Sequence, residues 1–174
     1  MRMSDLSFDI DIGDFEEDMT QAVPPQKLAQ KLALGKALSV VSRHPDALVI
    51  GADTFLYIDG TVLGKPHTAE KAREMLQVLN GKSHLVFTGY AIVDTRSGER
   101  FTGVSESTVW FRHVSPDEIE QYIETGEPLD RAGGYAIQGG GAAFVERIEG
   151  DYWGIVGLPL CAVVQKLQEF GMQK

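Results

Sequence analysis

With 174 residues, of which 43% are apolar and 24% charged, the chain has the size and composition of a single soluble globular domain. No apolar run reaches the ~18 residues of a membrane span, and the first residues lack the apolar stretch of a signal peptide, so we expect a cytoplasmic protein with no membrane partner. The formal net charge of −9 argues against non-specific nucleic-acid binding but permits a phosphorylated small molecule, provided that lysines or a divalent metal meet it in one cleft.

The chain begins with an alternating pattern that is followed by an acidic run. Apolar residues alternate with polar ones over Ser7–Ile12, which predicts a strand that ends at Gly13. The next stretch, Asp14–Asp18, is acidic. Such a run is usually a solvated charged segment, but it can also supply hard oxygen ligands to Mg2+ or Mn2+.

A helix follows the acidic run. Pro24 and Pro25 predict its start, because proline is tolerated in the first turn, and the helical pattern continues to about Val41. At 100° per residue the apolar side chains form one arc, and Lys36 falls near the middle of that arc. A lysine in this position must extend out to water, pair with an acid or face a ligand cleft.

The next apolar run leads to an acid and a threonine. Leu48–Ile50 is predicted to be a buried strand that ends at Asp53 and Thr54. The carboxyl ends of strands are where ligands bind in open α/β sheets. A second short strand is predicted over Phe55–Ile58.

A tight turn at Asp59-Gly60 then returns the chain to Lys65. This hairpin would carry a fixed carboxylate, that of Asp53, and a fixed cation, that of Lys65. A helix cap or a structural ion pair is the alternative interpretation of Asp53.

The rest of the chain alternates between helices and strands. Thr68 and Ser115 are N-cap residues that mark two helix starts. Gly89 lies inside a strand pattern, which indicates a bulge or a close backbone approach. His84 and His113 lack metal-ligand spacing, so we interpret them as surface or core histidines. The predicted elements are helices over 68–81 and 115–126, strands over 84–93, 101–113 and 142–148, and a last helix from 159 to about 170.

A glycine-rich segment, residues 133–141, contains five glycines among nine residues. Such a density indicates positive φ or a close approach of the backbone to another group. A mobile hairpin loop is the alternative, but Tyr135, Ile137 and Gln138 between the glycines suggest side chains with defined directions. The segment is not a phosphate-binding P-loop, because no Gly-Lys-Ser/Thr follows.

The single cysteine, Cys161, excludes an internal disulfide and fits a reducing compartment. It lies in the apolar run 158–164. We therefore predict a small core residue and not a nucleophile.

Several short segments along the chain form a pattern when they are taken together. They are Leu28-Ala29 with Lys36-Ala37, Gly51-Ala-Asp-Thr54, Leu63-Gly-Lys-Pro66, Asn80-Gly-Lys-Ser-His84 ahead of Thr88-Gly89, Glu127-Pro-Leu-Asp130, Ala132-Gly-Gly-Tyr135 with Ile137-Gln-Gly139, and Gly150-Asp-Tyr152 before Val156-Gly-Leu-Pro-Leu160. Each is weak alone, but their order and spacing resemble the Maf family of nucleoside triphosphate pyrophosphatases from Ser7 nearly to the C-terminus.

The resemblance implies an α/β fold of the inosine-triphosphatase-like type. This fold has an elongated mixed β-sheet, flanking helices and a central cleft, here in one domain over residues 1–174. The resemblance also implies a reaction, dependent on Mg2+ or Mn2+, that splits a nucleoside triphosphate into monophosphate and pyrophosphate. It further suggests a homodimer.

The resemblance assigns roles to particular residues. Asp53 corresponds to the family's proton acceptor, and Glu17 corresponds to a catalytic glutamate in the acidic run, with Glu16 as the fallback. Lys36 and Lys65 correspond to two catalytic lysines. Glu17 and Asp53 would hold the metal.

The resemblance also implies a substrate. The branch of the family that acts on dTTP and UTP has a threonine after the aspartate and a glutamine in the Ile-Gln-Gly segment, as this chain has in Thr54 and Gln138. A carboxamide offers both a donor and an acceptor, which suits the edge of a uracil or thymine ring. The branch that acts on 7-methyl-GTP differs at both positions and is the less favoured alternative.

One part of the family pattern is missing before Phe8. Family members begin with a strand and the motif Ser-x-Ser-Pro-Arg-Arg, whose backbone and arginine meet the triphosphate. Either the start of the chain is misplaced or truncated, or the first strand and its phosphate clamp have been lost, which would weaken turnover. The rival function is a non-catalytic nucleotide-binding regulator of cell division, because the family takes its name from the inhibition of septum formation.

Overall fold

The computed structural model describes residues 7–172. The helices are α1 (Pro25–Leu38), α2 (Ala69–Leu79), α3 (Pro116–Glu124), α4 (Tyr152–Val156) and α5 (Leu160–Glu169). The strands are β1 (Leu48–Ile58), β2 (Thr61–Leu63), β3 (Ser83–Asp94), β4 (Arg100–Phe111) and β5 (Val145–Glu149). Every helix in this part of the chain is too short or too polar to cross a membrane.

The strands form one five-stranded sheet in the order β2-β1-β3-β4-β5. The predicted turn at Asp59-Gly60 joins β1 to β2, and both of its residues have positive φ, 49° and 84°. The α/β class implied by the resemblance is confirmed. The strands described here pair antiparallel, where the resemblance implied a mixed sheet, because the chain returns through β2 and α2 so that β3 runs opposite to β1.

Within the described residues the chain divides into two compact units. The first unit comprises 7–53, 88–104 and 157–172, and the second comprises 54–87 and 105–156. Each contains part of β1, β3 and β4. The single domain over 1–174 stays a prediction.

The core of the first unit has a helix on each face of the sheet. Residues 90–93 of β3 alternate between these faces. Ala91 and Val93 pack with α1, while Tyr90 and Ile92 pack with α5. Both faces of this strand are therefore covered, which explains its continuous run of apolar residues.

The second unit has one large core under α2 and α3. The capping box predicted at Ser115 is present, since its hydroxyl accepts a hydrogen bond from the Glu118 N–H and the Glu118 carboxylate accepts one from the Ser115 N–H. The fully or nearly buried side chains of this core are Leu56, Ile58, Ala72, Leu76, Leu79, Val86, Val109, Phe111, Val114, Ile119, Tyr122, Ile123, Tyr135, Phe144 and Ile155.

The predicted strand over Ser7–Ile12 is wrong. These residues have no regular secondary structure and are exposed, with Ile10 and Ile12 at 80% and 85%. The alternation of apolar and polar residues does not by itself form a strand, because a strand also needs a partner for its backbone and a core for its apolar face.

The predicted burial of Cys161 is also wrong, because its side chain is exposed. Helix α5 turns Val163 and Leu167 toward the core, one helical turn apart. Cys161 precedes Val163 by two positions, and two positions correspond to about 200° around a helix. The apolar run therefore contains one outward-facing residue.

Candidate active site

Lys36 lies between two carboxylates in the first unit. Its Nζ contacts Oδ1 of Asp53 and lies 2.6 Å from Oε1 of Glu17. Of the two acids that the resemblance suggested, Glu17 and not Glu16 is therefore the one that meets Lys36. The Asp53 side chain is 4% exposed, whereas those of Lys36 and Glu17 are 33% and 30% exposed. This Glu17–Lys36–Asp53 cluster has one member fixed in the core and two that solvent can reach.

A glycine on β1 explains why Lys36 reaches Asp53. A Cβ at Gly51 would lie 2.3 Å from the carbonyl oxygen of Ala33, so α1 rests directly on the β1 backbone. Gly51 and Asp53 face the same side of the strand because side chains alternate along it. Lys36 follows Ala33 by three residues and so lies on the same side of α1. This close packing brings the ammonium within bonding distance of the carboxylate.

A second glycine, Gly89 on β3, also lies directly against α1. A Cβ at Gly89 would lie 1.9 Å from the carbonyl oxygen of Ala29, about one turn before Ala33 on α1. Of the two predictions for Gly89, a bulge or a close backbone approach, the structure thus shows the approach. A side chain at either glycine would push α1 away from the sheet and separate Lys36 from Asp53.

The expected position of Asp53 at a strand end is wrong. Asp53 lies inside β1, which continues without interruption from Leu48 to Ile58. The reason is that Thr54–Ile58 is rich in β-branched and aromatic residues, which favour a strand, and the two predicted strands merge into one. Asp53 is therefore held from both sides along its strand, which restricts its movement more than a strand end would.

Two opposing effects set the pKa of Lys36. Burial lowers the pKa, but hydrogen bonds with Asp53 and Glu17 outweigh burial and raise it above the ordinary value of 10.5. The stabilisation linked to this shift is present below pH 10.5 and is lost only as the pH rises through the raised pKa. Lys36 is therefore a cation at neutral pH, suited to neutralising a negative ligand and not to acting as a base.

The cluster offers a donor set that fits a divalent cation together with phosphate. The carboxylates of Glu17 and Asp53 both converge on Nζ of Lys36. Mg2+ commonly uses one or two protein carboxylates and completes its shell with water and phosphate oxygens. Within residues 7–172 there is no group of three or more His, Cys, Asp or Glu side chains that could hold a metal alone. A cation at this cluster would accordingly need water or substrate oxygens as further ligands.

Lys65 lies in a loop of the second unit that is bonded to the glycine-rich segment. The N–H of Gly133 donates to the carbonyl oxygen of Gly64 at 2.9 Å. The side chain of Lys65 itself is exposed. The backbone of this loop is therefore held by a hydrogen bond, while the exposed side chain of Lys65 is accessible to an anion.

The glycine-rich segment is held by two side chains from outside it. Oε2 of Glu127 accepts a hydrogen bond from the N–H of Gly140 at 2.8 Å, and the hydroxyl of Tyr122 accepts one from the N–H of Ala136 at 3.0 Å. A Cβ at Gly139 would lie 1.8 Å from Oε1 of Glu127. The glycines therefore permit a close approach between backbone and carboxylate, and these contacts argue against a mobile hairpin.

A buried His–Tyr pair anchors the same segment. Nε2 of His84 lies 2.9 Å from the hydroxyl of Tyr135, and both rings pack edge-on against Phe111. Burial lowers the pKa of His84 from 6.5 to about 4, and burial also raises the pKa of Tyr135. Both side chains are neutral near pH 7, and His84 is a core histidine.

The shifted pKa of His84 predicts a pH-dependent stability. Between pH 6.5 and 4 the unfolded chain binds a proton at His84 that the folded protein does not, so the free energy of unfolding should fall with the pH, by about 3 kcal/mol in total. Urea unfolding at several pH values would measure this fall. His84→Gln should remove most of it, whereas His113→Gln, at an exposed histidine, should not. Equal pH slopes in the native protein and His84→Gln would contradict the prediction.

The two remaining candidate residues, Thr54 and Gln138, belong to the second unit. Thr54 is half-buried on β1, where it directly follows Asp53 and so faces the other side of the strand. Gln138 is exposed in the glycine-rich segment. The structure therefore brings the cluster together in the first unit, and in the second it ties the Lys65 loop to the segment that carries Gln138.

Comparison with known sequences gives one consistent result. A family profile described as "Maf-like protein" matches residues 1–170. The dTTP/UTP pyrophosphatase of Moorella thermoacetica is 46% identical over 167 residues, which cover 96% of this chain and 86% of the relative. The dTTP/UTP pyrophosphatase of Bacillus pumilus is 44% identical over 170 residues, 98% of this chain and 89% of the relative. That of Symbiobacterium thermophilum is 44% identical over 171 residues, 98% and 87% of the two chains.

Proposed function

The chain belongs to the Maf family, and we propose that it is a nucleoside triphosphate pyrophosphatase that hydrolyses dTTP and UTP to the monophosphate and pyrophosphate. The names of the similar proteins from three genera support this substrate class. The proposal includes modified pyrimidine nucleotides as further substrates. It places the protein in the cytoplasm, where these nucleotides occur.

The observation that carries the proposal is the Glu17–Lys36–Asp53 cluster. Hydrolysis of a triphosphate needs a group that accepts a proton from water and positive charge that faces the phosphate oxygens. Asp53 can supply the first, since its carboxylate is buried on strand β1. Lys36 can supply the second, because its raised pKa keeps it charged.

The proposed reaction breaks the bond between the α-phosphorus and the oxygen that bridges to the β-phosphate. Water attacks the α-phosphorus, a proton of that water passes to a carboxylate oxygen of Asp53, and pyrophosphate leaves with the bridging oxygen. Lys36 stabilises the negative charge that builds on the phosphate oxygens. We assign Lys65 the same task from the resemblance.

Glu17 and Asp53 are the residues that would hold Mg2+ or Mn2+. When bound, the cation would neutralise phosphate charge and help to orient the triphosphate. Glu17 lies in an extended segment and Asp53 lies on strand β1. The carboxylate of Glu17 can therefore adjust to the cation, while that of Asp53 is fixed.

Gln138 is proposed to read the base. Thr54, which faces away from Asp53 on β1, is assigned a second substrate contact from the resemblance alone. A uracil or thymine edge presents one N–H donor between two carbonyl acceptors, and a carboxamide can pair with both kinds of group. Gln138→Glu should lower kcat/KM for UTP and dTTP by about tenfold or more while affecting CTP less, because glutamate loses the donor. Gln121→Glu, at an exposed position of α3, is the matched control. Equal losses for every nucleotide would mean that Gln138 does not read the base.

A pyrophosphate-release assay with several nucleotides tests the proposed function. Incubation with dTTP, UTP, CTP and 7-methyl-GTP in the presence of Mn2+ should yield pyrophosphate chiefly from dTTP and UTP. Preferred turnover of 7-methyl-GTP would assign the chain to the other branch of the family. Nucleotide binding without any pyrophosphate would instead favour the non-catalytic regulator.

A further inference from the structure

An extended segment, residues 11–18, lies along α1 and ends near the cluster. We call it the N-terminal strap. Asp11 at one end meets the ring of His44, with Oδ2 and Nε2 2.8 Å apart, and Glu17 near the other end meets Lys36 at 2.6 Å. The strap has no helical or strand hydrogen-bond pattern of its own. Its position therefore depends on side-chain contacts with the elements beside it.

The ion pair between Glu17 and Lys36 is a weak anchor for such a segment. Both side chains are about one-third exposed, and ion pairs at that exposure contribute little to stability. Each residue of an extended segment also loses conformational freedom when it is fixed. Other contacts must therefore hold the strap in place before Glu17 can be presented to Lys36.

The middle of the strap carries the closest of these contacts. The ring of Phe15 lies directly on Gly35, where a Cβ would be only 2.3 Å from two ring atoms. Gly35 lies inside α1, where glycine is normally disfavoured relative to alanine. The absence of a side chain at position 35 makes space for the ring, and Lys36 is the next residue of the helix.

The end of the strap near Asp11 is fixed by a second set of contacts. Nε of Arg43 lies 3.1 Å from Oδ2 of Asp11, and Nη2 of the same guanidinium donates to the carbonyl oxygen of Ile12 at 3.1 Å. A Cβ at Gly13 would lie 2.0 Å from the hydroxyl oxygen of Ser39. The strap thus runs from Arg43 past Ser39 to the last turn of α1, and the Phe15 contact is the one nearest to Glu17.

We propose that Phe15, seated on Gly35, is a positioning residue that holds Glu17 against Lys36, an inference that rests on the proposed function for its catalytic consequence. Phe15 itself need not touch the substrate. Its effect passes through the strap backbone, which carries Glu17 two residues later. Gly35 is needed for this contact, because a side chain at position 35 would occupy the space of the Phe15 ring.

The test is Gly35→Ala, which inserts a methyl group where the Phe15 ring lies. Alanine is the better helix former, so α1 should be as stable as before or more stable, while the strap is displaced. The NMR order parameters of the strap amides should fall from those of a rigid backbone to those of a flexible one, below about 0.6, with the values in residues 25–38 unchanged. NMR contacts between the side-chain methylenes of Glu17 and Lys36, which the native ion pair brings together, should be lost.

Activity and rescue complete the test. Pyrophosphate release by Gly35→Ala should drop toward that of Glu17→Gln. Adding Phe15→Leu should recover part of both the rigidity of the strap and turnover, because leucine leaves room for the methyl group. Lys27→Ala, in the first turn of α1, is the matched control and should leave the strap rigid.

Unchanged order parameters of the strap in Gly35→Ala, or a flexible strap with an unchanged Glu17–Lys36 contact and full turnover, would overturn the proposal. Lower order parameters in α1 itself would mean that the contact is merely structural. An inactive native protein would refute the proposed function, while the order parameters and the Glu17–Lys36 contact would still decide the strap.

Discussion

Asp53→Asn is expected to lower the rate of pyrophosphate release from UTP by a factor of about 10²–10⁴, the usual contribution of a positioned general base. Asparagine has nearly the same shape as aspartate and can still accept the hydrogen bond from Lys36, so the packing of α1 on β1 should survive. Asparagine cannot, however, accept the proton of the attacking water. The measurement is kcat for dTTP and UTP at saturating Mn2+.

Asp59→Asn is the matched control for this prediction. Asp59 lies in the turn after the same strand and is exposed, and asparagine tolerates its positive φ of 49°. That variant should retain native turnover. If Asp53→Asn is as active as Asp59→Asn, another group must accept the proton.

Lys36→Met is expected to reduce both activity and stability. Methionine has about the length of lysine without its charge, so the variant leaves the buried Asp53 and the partly exposed Glu17 without the cation between them. We expect a loss of about 1–3 kcal/mol in the free energy of unfolding, below the 3–5 kcal/mol of a fully buried pair because Lys36 is partly exposed. The loss in kcat/KM should be about 10²–10³, comparable to removing one electrostatic contact to a transition state.

A double variant separates the two effects of Lys36→Met. Adding Asp53→Asn removes the charge that Lys36 balanced, so stability should partly recover while turnover stays low. Lys27→Met, at an exposed position of the same helix, serves as the control for the loss of one lysine. Native stability and turnover in Lys36→Met would show that the ion pair seen here has neither role.

The parts of the structure that could be predicted from the sequence follow local rules. The capping box at Ser115 and the turn at Asp59-Gly60 depend on residues within four positions of each other, and both are present. The position of Lys36 in an apolar arc required an explanation such as an acidic partner, and the structure supplies two. Side-chain period and charge were sufficient for that inference.

The parts that could not be predicted depend on distant contacts. The residues that lead into the strap, Ser7–Ile12, have the apolar alternation of a strand but form none. The strap is held instead by contacts between residues 20 and 32 positions apart, Phe15 with Gly35 and Asp11 with Arg43. Gly35 was the available signal, since a glycine inside a helix commonly has a packing reason.

The contacts around the glycine-rich segment were missed for a similar reason. Tyr122 belongs to the buried stripe of α3, and its period marks it as a core residue without showing that its hydroxyl meets Ala136. His84 has no sequence neighbour that indicates Tyr135 as its partner. Amphipathic patterns report which face of an element is buried, but not which polar atoms meet there.

Isotope labelling with UTP and Mn2+ in water enriched in oxygen-18 tests the proposed reaction most directly. Attack of water on the α-phosphorus places the label in the monophosphate and leaves the pyrophosphate unlabelled. We predict that mass spectrometry will find one labelled oxygen in UMP and none in pyrophosphate after a single turnover. Label in pyrophosphate, or release of inorganic phosphate with UDP, would contradict the assignment of this chain as a pyrophosphatase acting between the α- and β-phosphates.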